Sequence, residues 1–169
     1  MRCSPPSLHF PLPDRRPKPK FRKGILSRIA DNLALPAERN WRMKANDIDI
    51  QQMHYDNGQL WQKVPFLGET IHGVIREWHE NGVLAFEIPM SNGLRHGVCK
   101  QWNEQVQLLG TYEMNMGTGI SRRWHSNGQL QFEAHMTADT FDGPVRIWDV
   151  EGRLLHEWFH ANGRKSLPP

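Results

Sequence analysis

Cysteine is scarce in this sequence: Cys3 and Cys99 are the only two among 169 residues. One sits near the N-terminus and the other deep in the chain. That placement gives no disulfide framework, and the expected compartment is a reducing cytoplasm. Long apolar runs are missing too. With no stretch of about eighteen apolar residues, no membrane-spanning helix is expected. The opening "MRCSPPSLHFPLPDRRPKPK" is positively charged but has no apolar centre, so it does not read as a secretory signal. There is no phosphate-cradling glycine loop, no nucleophile elbow and no Cys/His dyad. His-x-His and Cys-x-x-Cys spacings are also missing. These absences predict a protein that is not an enzyme, with no catalytic residue, no metal site and no cofactor.

What the chain has in plenty is tryptophan and turn formers: seven Trp, and 26 Gly and Pro together. Many turns with many large aromatics favour strands over helices. Charge is unevenly divided. Residues 1–46 hold eleven Lys and Arg against three acids, net +8, while residues 47–169 hold ten against fifteen, net −5. A basic segment precedes an acidic body, so the pI of 9.1 does not describe the body.

The phrase "WHENGVL" (Trp78 to Leu84) returns as "WHSNGQL" (Trp124 to Leu130). Trp78, Trp102, Trp124 and Trp148 set a register with spacings of 24, 22 and 24. Five residues before each lies Gly73, Gly97, Gly119 or Gly143. Four residues after each comes Gly82, Val106, Gly128 or Gly152, and six after it Leu84, Leu108, Leu130 or Leu154. "HYDNGQL" (His54 to Leu60) is an earlier copy, and "HANG" (His160 to Gly163) begins another. Five units of 22–24 residues thus cover about 48–169, the signature of a repeat architecture.

A unit this short holds one hairpin. A three-residue loop ending in left-handed Gly, at Glu80-Asn81-Gly82, pairs His79 with Val83 and sets Trp78 opposite Leu84. Continued in step, it places Arg76 opposite Phe86. The pattern then predicts one face made of Val74-Arg76-Trp78 and its equivalents together with Leu84-Phe86-Ile88-Met90 and Leu130-Phe132-Ala134-Met136. The opposite, polar face holds Glu77, Glu87, Gln101, Glu113, Arg123, Gln129, Gln131 and Glu133. The predicted fold is all-β, an elongated, twisted antiparallel meander of about five hairpin repeats and about ten strands. Before it, residues 1–23 (six Pro, seven Lys and Arg) are expected to be a disordered basic tail. Residues 24–46 are expected to form a short amphipathic helix over 24–35 and a linker, with Ile25, Ile29 and Leu33 on one helix face. The repeat domain is 47–169.

The unit G-x-x-x-x-W-x-x-x-G-x-L, best seen in "GVIREWHENGVLAFEIPMSNGLRH", resembles the variant MORN repeat. The resemblance covers about 70% of the chain. It implies an array of β-hairpins and a non-enzymatic scaffold for protein–protein interaction. Many bacterial proteins of this kind are antitoxin or immunity components, so it further implies binding and neutralisation of a cognate toxin, here a basic protein that suits the acidic body. The alternative is a peripheral membrane scaffold. In that reading Arg76, Lys100, Arg122 and Arg146, each two places before its Trp, form a ladder that binds anionic phospholipid with help from the tail. The plainer reading is that their stems pack on cross-strand aromatics. Nucleic acid is expected to be contacted only through the tail, if at all. His79, His125 and His160 recur beside turns without metal spacing, and Glu87, Glu133 and Glu157 recur evenly as a solvated face. Unit three departs from the pattern at Val106 and in a loop two residues shorter.

Overall fold

The structure, a computed structural model, describes residues 48–167. The tail expected at 1–23 and the helix and linker expected at 24–46 lie outside the described residues. Thirteen strands build one antiparallel sheet, and no helix occurs among the described residues. They are β1 (Ile48–His54), β2 (Leu60–Leu67), β3 (Thr70–Ile71), β4 (Gly73–Trp78), β5 (Leu84–Ser91), β6 (Leu94–Arg95) and β7 (Gly97–Trp102). The rest are β8 (Leu108–Asn115), β9 (Thr118–Trp124), β10 (Leu130–Thr137), β11 (Thr140–Trp148), β12 (Leu154–Ala161) and β13 (Arg164–Ser166). Order in the sheet follows order in the chain, with β3 paired to β2 and β6 to β5. The expected meander of five hairpins is the observed fold, with β3, β6 and β13 added as short strands at the connections.

The repeated phrase turns the chain as its residues dictate. His79 donates its N–H to the Val83 carbonyl at 2.8 Å, and Gly82 donates to His79 at 2.9 Å. Gly82 has φ +82°, open to glycine at little cost. The same pair of bonds closes the turns at Tyr55, Asn103, His125 and Asp149. Unit three keeps the turn although Val106 fills the glycine slot: its φ is +66°, a region β-branched residues avoid. In the first two connections the strand breaks at His72 and His96, whose N–H groups bond the Pro65 and Pro89 carbonyls at 3.1 and 2.9 Å. After the third and fourth connections, β9 and β11 run unbroken.

One expectation about faces is overturned. Trp78 does oppose Leu84, but the next pair is Glu77 with Phe86, so Ala85 is an extra residue without a partner. Arg76 therefore faces Glu87, and Ile75 faces Ile88. The same slip recurs in every hairpin, leaving Trp61, Leu109, Gln131 and Leu155 as the extra residues. A β-bulge shifts one strand's alternation against its partner's by one. Beyond the bulge, from Phe86 and Phe132 on, the second-strand face is as expected but meets the other side of the first strand, while Leu84 and Leu130 stay with their Trp. The buried first-strand residues are Ile75, Cys99, Gln101, Ser121 and Val145, so Gln101 leaves the polar face expected for it, while Val98 is exposed.

Two clusters make up the core. Val64, Ile75 and Met90 form one; Cys99, Met114, Ala134, Met136 and Val145 form the other, and Ile88 packs against both. The buried side chains are small or flexible, each contributing roughly 1 to 3 kcal/mol. No hairpin buries enough to stand alone, so stability comes from neighbours stacking in sequence.

Candidate interaction surface

The hairpin tips form one continuous edge, held by side chains that reach from each tip to the next. Tyr55 donates its hydroxyl to the Trp78 carbonyl at 2.7 Å. His79 Nε2 meets the Trp102 carbonyl at 2.9 Å, and His125 Nε2 the Trp148 carbonyl at 2.9 Å. A carbonyl only accepts, so Nε2 carries the proton in both imidazoles. Asn81 works in two directions: its Oδ1 accepts the Val83 N–H at 3.0 Å, and its Nδ2 donates to the Glu104 carbonyl at 3.2 Å. Asn127 does the same with Gln129 and the Val150 carbonyl. This explains why "HxNG" is repeated as a block, since Gly permits the turn while His and Asn bind it to the next one. The recurrent histidines are thus placed as ties between repeats, while His160 stacks on Phe141 with centroids 5.2 Å apart. Asp56, Glu80, Glu104 and Glu151 stand exposed along this edge.

The basic ladder runs across the sheet interleaved with carboxylates. Arg76 Nε lies 2.9 Å from Glu87, whose other oxygen is 3.9 Å from Lys100 Nζ. Arg122 and Arg146 flank Glu133 at 2.9 and 3.4 Å, and Arg146 continues to Glu157 at 2.6 Å. The bulge brings the two series onto one face, where they neutralise each other. Such half-exposed pairs stabilise little individually, but the alternation leaves only a small surplus of positive charge on this stripe. The signature glycines Gly73, Gly97, Gly119 and Gly143 lie at the connections, all with positive φ. Trp78, Trp102, Trp124 and Trp148 are half-buried, each opposite its Leu.

One buried cluster breaks the repeat. At the connections, Gly93, Gly117 and Gly163 donate their N–H groups to Ile71, Arg95 and Phe141, and Asp139 fills the same role toward Gly117. Asp139 thus stands in a glycine slot, with φ +59°. Its carboxylate accepts the Arg95 backbone N–H at 2.8 Å and pairs with the Arg95 Nε. Arg95 is 5% exposed and donates Nη1 to Ser121 Oγ at 2.9 Å, while its Nη2 has no partner. Tyr112 and Cys99 complete the cluster. Burial pushes the Tyr112 hydroxyl up, with Cys99 adding to the rise. Burial likewise raises the Cys99 thiol above its usual range, which makes it a poor nucleophile. Burial works against the charge of Arg95, but Tyr112 and Asp139 outweigh it and raise that group as well. This closed cluster pins the second connection to the fourth. Its signal in the sequence is "TAD" at 137–139, where the second, third and fifth connections read "SNG", "NMG" and "ANG"; the first, "LGE" at 67–69, also ends without Gly. Among the described residues, no group of three or more His, Cys, Asp or Glu is placed to hold a metal ion.

The family model described as "MORN repeat variant" matches residues 50–67, 71–92 and 118–137. Those segments hold most of the first, second and fourth hairpins. The third hairpin, with Val106 at its turn, and the fifth lie outside the matches. No curated protein and no solved structure matches the chain significantly. In the spacing of its glycines and tryptophans, in its stacked hairpins and in these three matched segments, the chain carries variant MORN repeats.

Proposed function

We propose that this chain is the antitoxin or immunity member of a toxin–antitoxin pair, acting in the cytoplasm as a non-enzymatic scaffold that binds a basic protein toxin and blocks it. Variant MORN repeats form a repeat scaffold of a kind used for protein or membrane interaction. The observation that carries the choice between those is charge placement. The tip edge offers Asp56, Glu80 and Glu104 to solvent, with Glu151 paired to Arg153, while the basic ladder is interleaved with Glu87, Glu133 and Glu157. A row of exposed acids speeds and orients association with a basic protein. A stripe of near-balanced charge attracts anionic lipid weakly.

The test is co-expression with the product of the neighbouring gene. Restored growth and a co-purifying complex support the reading, together with a complex that weakens when Glu80 and Glu104 are changed to Lys. Absence of both binding and neutralisation overturns it. Binding to vesicles that requires acidic phospholipid and fades with salt would favour the membrane scaffold instead.

A further inference from the structure

The first, second and fourth hairpins pair the middle of their second strand with the hairpin that follows, while in the third β8 meets β9 only at Met114 and Asn115. Phe86 and Glu87 of β5 pair with Gln101 and Lys100 of β7. Phe132, Glu133 and Ala134 of β10 pair with Ile147, Arg146 and Val145 of β11. These positions lie eight to ten residues after the repeat tryptophan, and in the fifth hairpin they are His156, Glu157 and Trp158 of β12. There the slot is open. β13 pairs only with Phe159, His160 and Ala161, and no strand pairs the outer side of residues 154–158 among the described residues. A recess of about 400 Å³ marks the place, lined by His156, Glu157, Trp158, Phe159, Lys165 and Ser166. Leu154 and Leu155 beside it are 51% and 53% exposed.

Charge specifies what fits. Glu87 has a cation on each side, Arg76 and Lys100, and Glu133 has Arg122 and Arg146. Glu157 has Arg146 alone, on its inner side. The outer cation is the one the next strand would bring. We propose that the outer edge of β12 is a docking site for an extended strand of a partner protein, running antiparallel to β12 with Arg or Lys opposite Glu157. An apolar residue would lie opposite Trp158, where Val145 lies opposite Ala134 in the preceding interface. Backbone N–H and C=O groups along the open edge give the strand its hydrogen bonds, and the side chains select it. Edge strands of a second copy fit poorly: β1 (IDIQQMH) and β12 (LLHEWFHA) contain no Lys or Arg, and β13 (RKS), which does, is three residues long and too short to fill residues 154–158. This docking does not rest on the toxin reading and is tested with no toxin present.

The probe is a labelled synthetic peptide copying residues 141–148 (FDGPVRIW), the segment that fills the equivalent slot on β10. It is titrated into the full chain and followed by anisotropy and by backbone amide exchange. Expected are saturable binding and slowed exchange confined to residues 154–158. Changing the peptide Arg to Glu should weaken binding about tenfold or more, the worth of one charge-assisted hydrogen bond. Glu157→Lys in the protein should do the same, and the Arg-to-Glu peptide should then bind the Glu157→Lys chain better than the original peptide does. Glu157 is 36% exposed, so this change leaves the core untouched, and an unchanged circular dichroism spectrum checks it. No saturation at millimolar peptide, indifference to both charge changes, or protection at β1 in place of β12 overturns the proposal.

Discussion

Val106→Gly should make the protein more stable. The hydrogen bonds of the third turn match those of its neighbours: Asn103 N–H to Gln107 at 3.0 Å and Val106 N–H to Asn103 at 3.1 Å. The backbone therefore adopts the glycine geometry, at φ +66°, with a β-branched residue in place. Holding such a residue there costs roughly 2 kcal/mol. Glycine returns about 0.7 kcal/mol of that through its freer unfolded chain. Val106 is 69% exposed, so the lost side chain forfeits only a few tenths of a kcal/mol of burial, roughly. About 1 kcal/mol of net stabilisation remains, or a rise in melting temperature of about 3 to 4 °C for a chain of this size.

Urea unfolding followed by tryptophan fluorescence measures the change, and amide exchange at the third turn shows whether the gain is local or shared across the repeats. The reciprocal variant, Gly82→Val, isolates the cause. A Cβ at Gly82 has only Gln59 Oε1 nearby, at 3.8 Å, so crowding is absent and the loss should come from the backbone alone. An unchanged or lowered midpoint for Val106→Gly at constant m-value would refute the reasoning. So would a Gly82→Val variant as stable as the parent.

The remaining predictions concern ties and buried groups. His79→Leu leaves the Trp102 carbonyl without its donor and should cost about 1 kcal/mol in urea unfolding, with faster amide exchange in the second and third hairpins. Gly110→Ala should cost about 1 to 3 kcal/mol, because a Cβ there would lie 2.3 Å from the Trp124 indole; calorimetry reads it directly. Asp139→Gly relaxes a strained φ but strands the Arg95 charge, so it should lose about 3 to 5 kcal/mol, while Asp139→Gly combined with Arg95→Ile should recover most of it, as Ile71 fills the corresponding slot. The Cys99 thiol and the Tyr112 hydroxyl titrate higher in the fold than in the open chain, so their contribution is complete below the ordinary values of 9.0 for the thiol and 10.0 for the hydroxyl and is lost as pH rises past each. Urea midpoints should fall above those values, and Tyr112→Phe should flatten the decline.

The hairpin array was legible because its signals are local. Gly82 and Asn81 set the turn, and a turn of that kind dictates the His79–Val83 and Trp78–Leu84 pairs by itself. The side of the sheet on which Arg76 lands was not legible. That depends on one unpaired residue, and Ala85, Leu109, Gln131 and Leu155 share no chemistry that would announce a bulge. A strand pattern with period two loses its phase at a single insertion, so the reading of both faces rested on a step the composition did not record. The ladder and the row of Glu87, Glu133 and Glu157 were each visible as periodic series. Their mutual pairing was not, because it exists only after the slip.

The buried pin between Arg95 and Asp139 was hidden for a different reason. Periodicity points to what every unit needs, and these two residues are where a unit departs from it. Ile71, Gly117 and Phe141 hold the slot that Arg95 takes, and glycine holds three of the four positions equivalent to Asp139. A solenoid normally couples only adjacent units, so its stability is a sum of near-neighbour steps. The Arg95–Asp139 pair spans 44 residues and skips a unit, across the stretch where the loop is two residues shorter and Val106 strains its turn. The unit with the strained turn and the shortened loop is therefore bridged by an ion pair 44 residues apart in sequence. Breaking the pin should let the third hairpin open independently of the others, whereas in the parent it should open only together with the fourth.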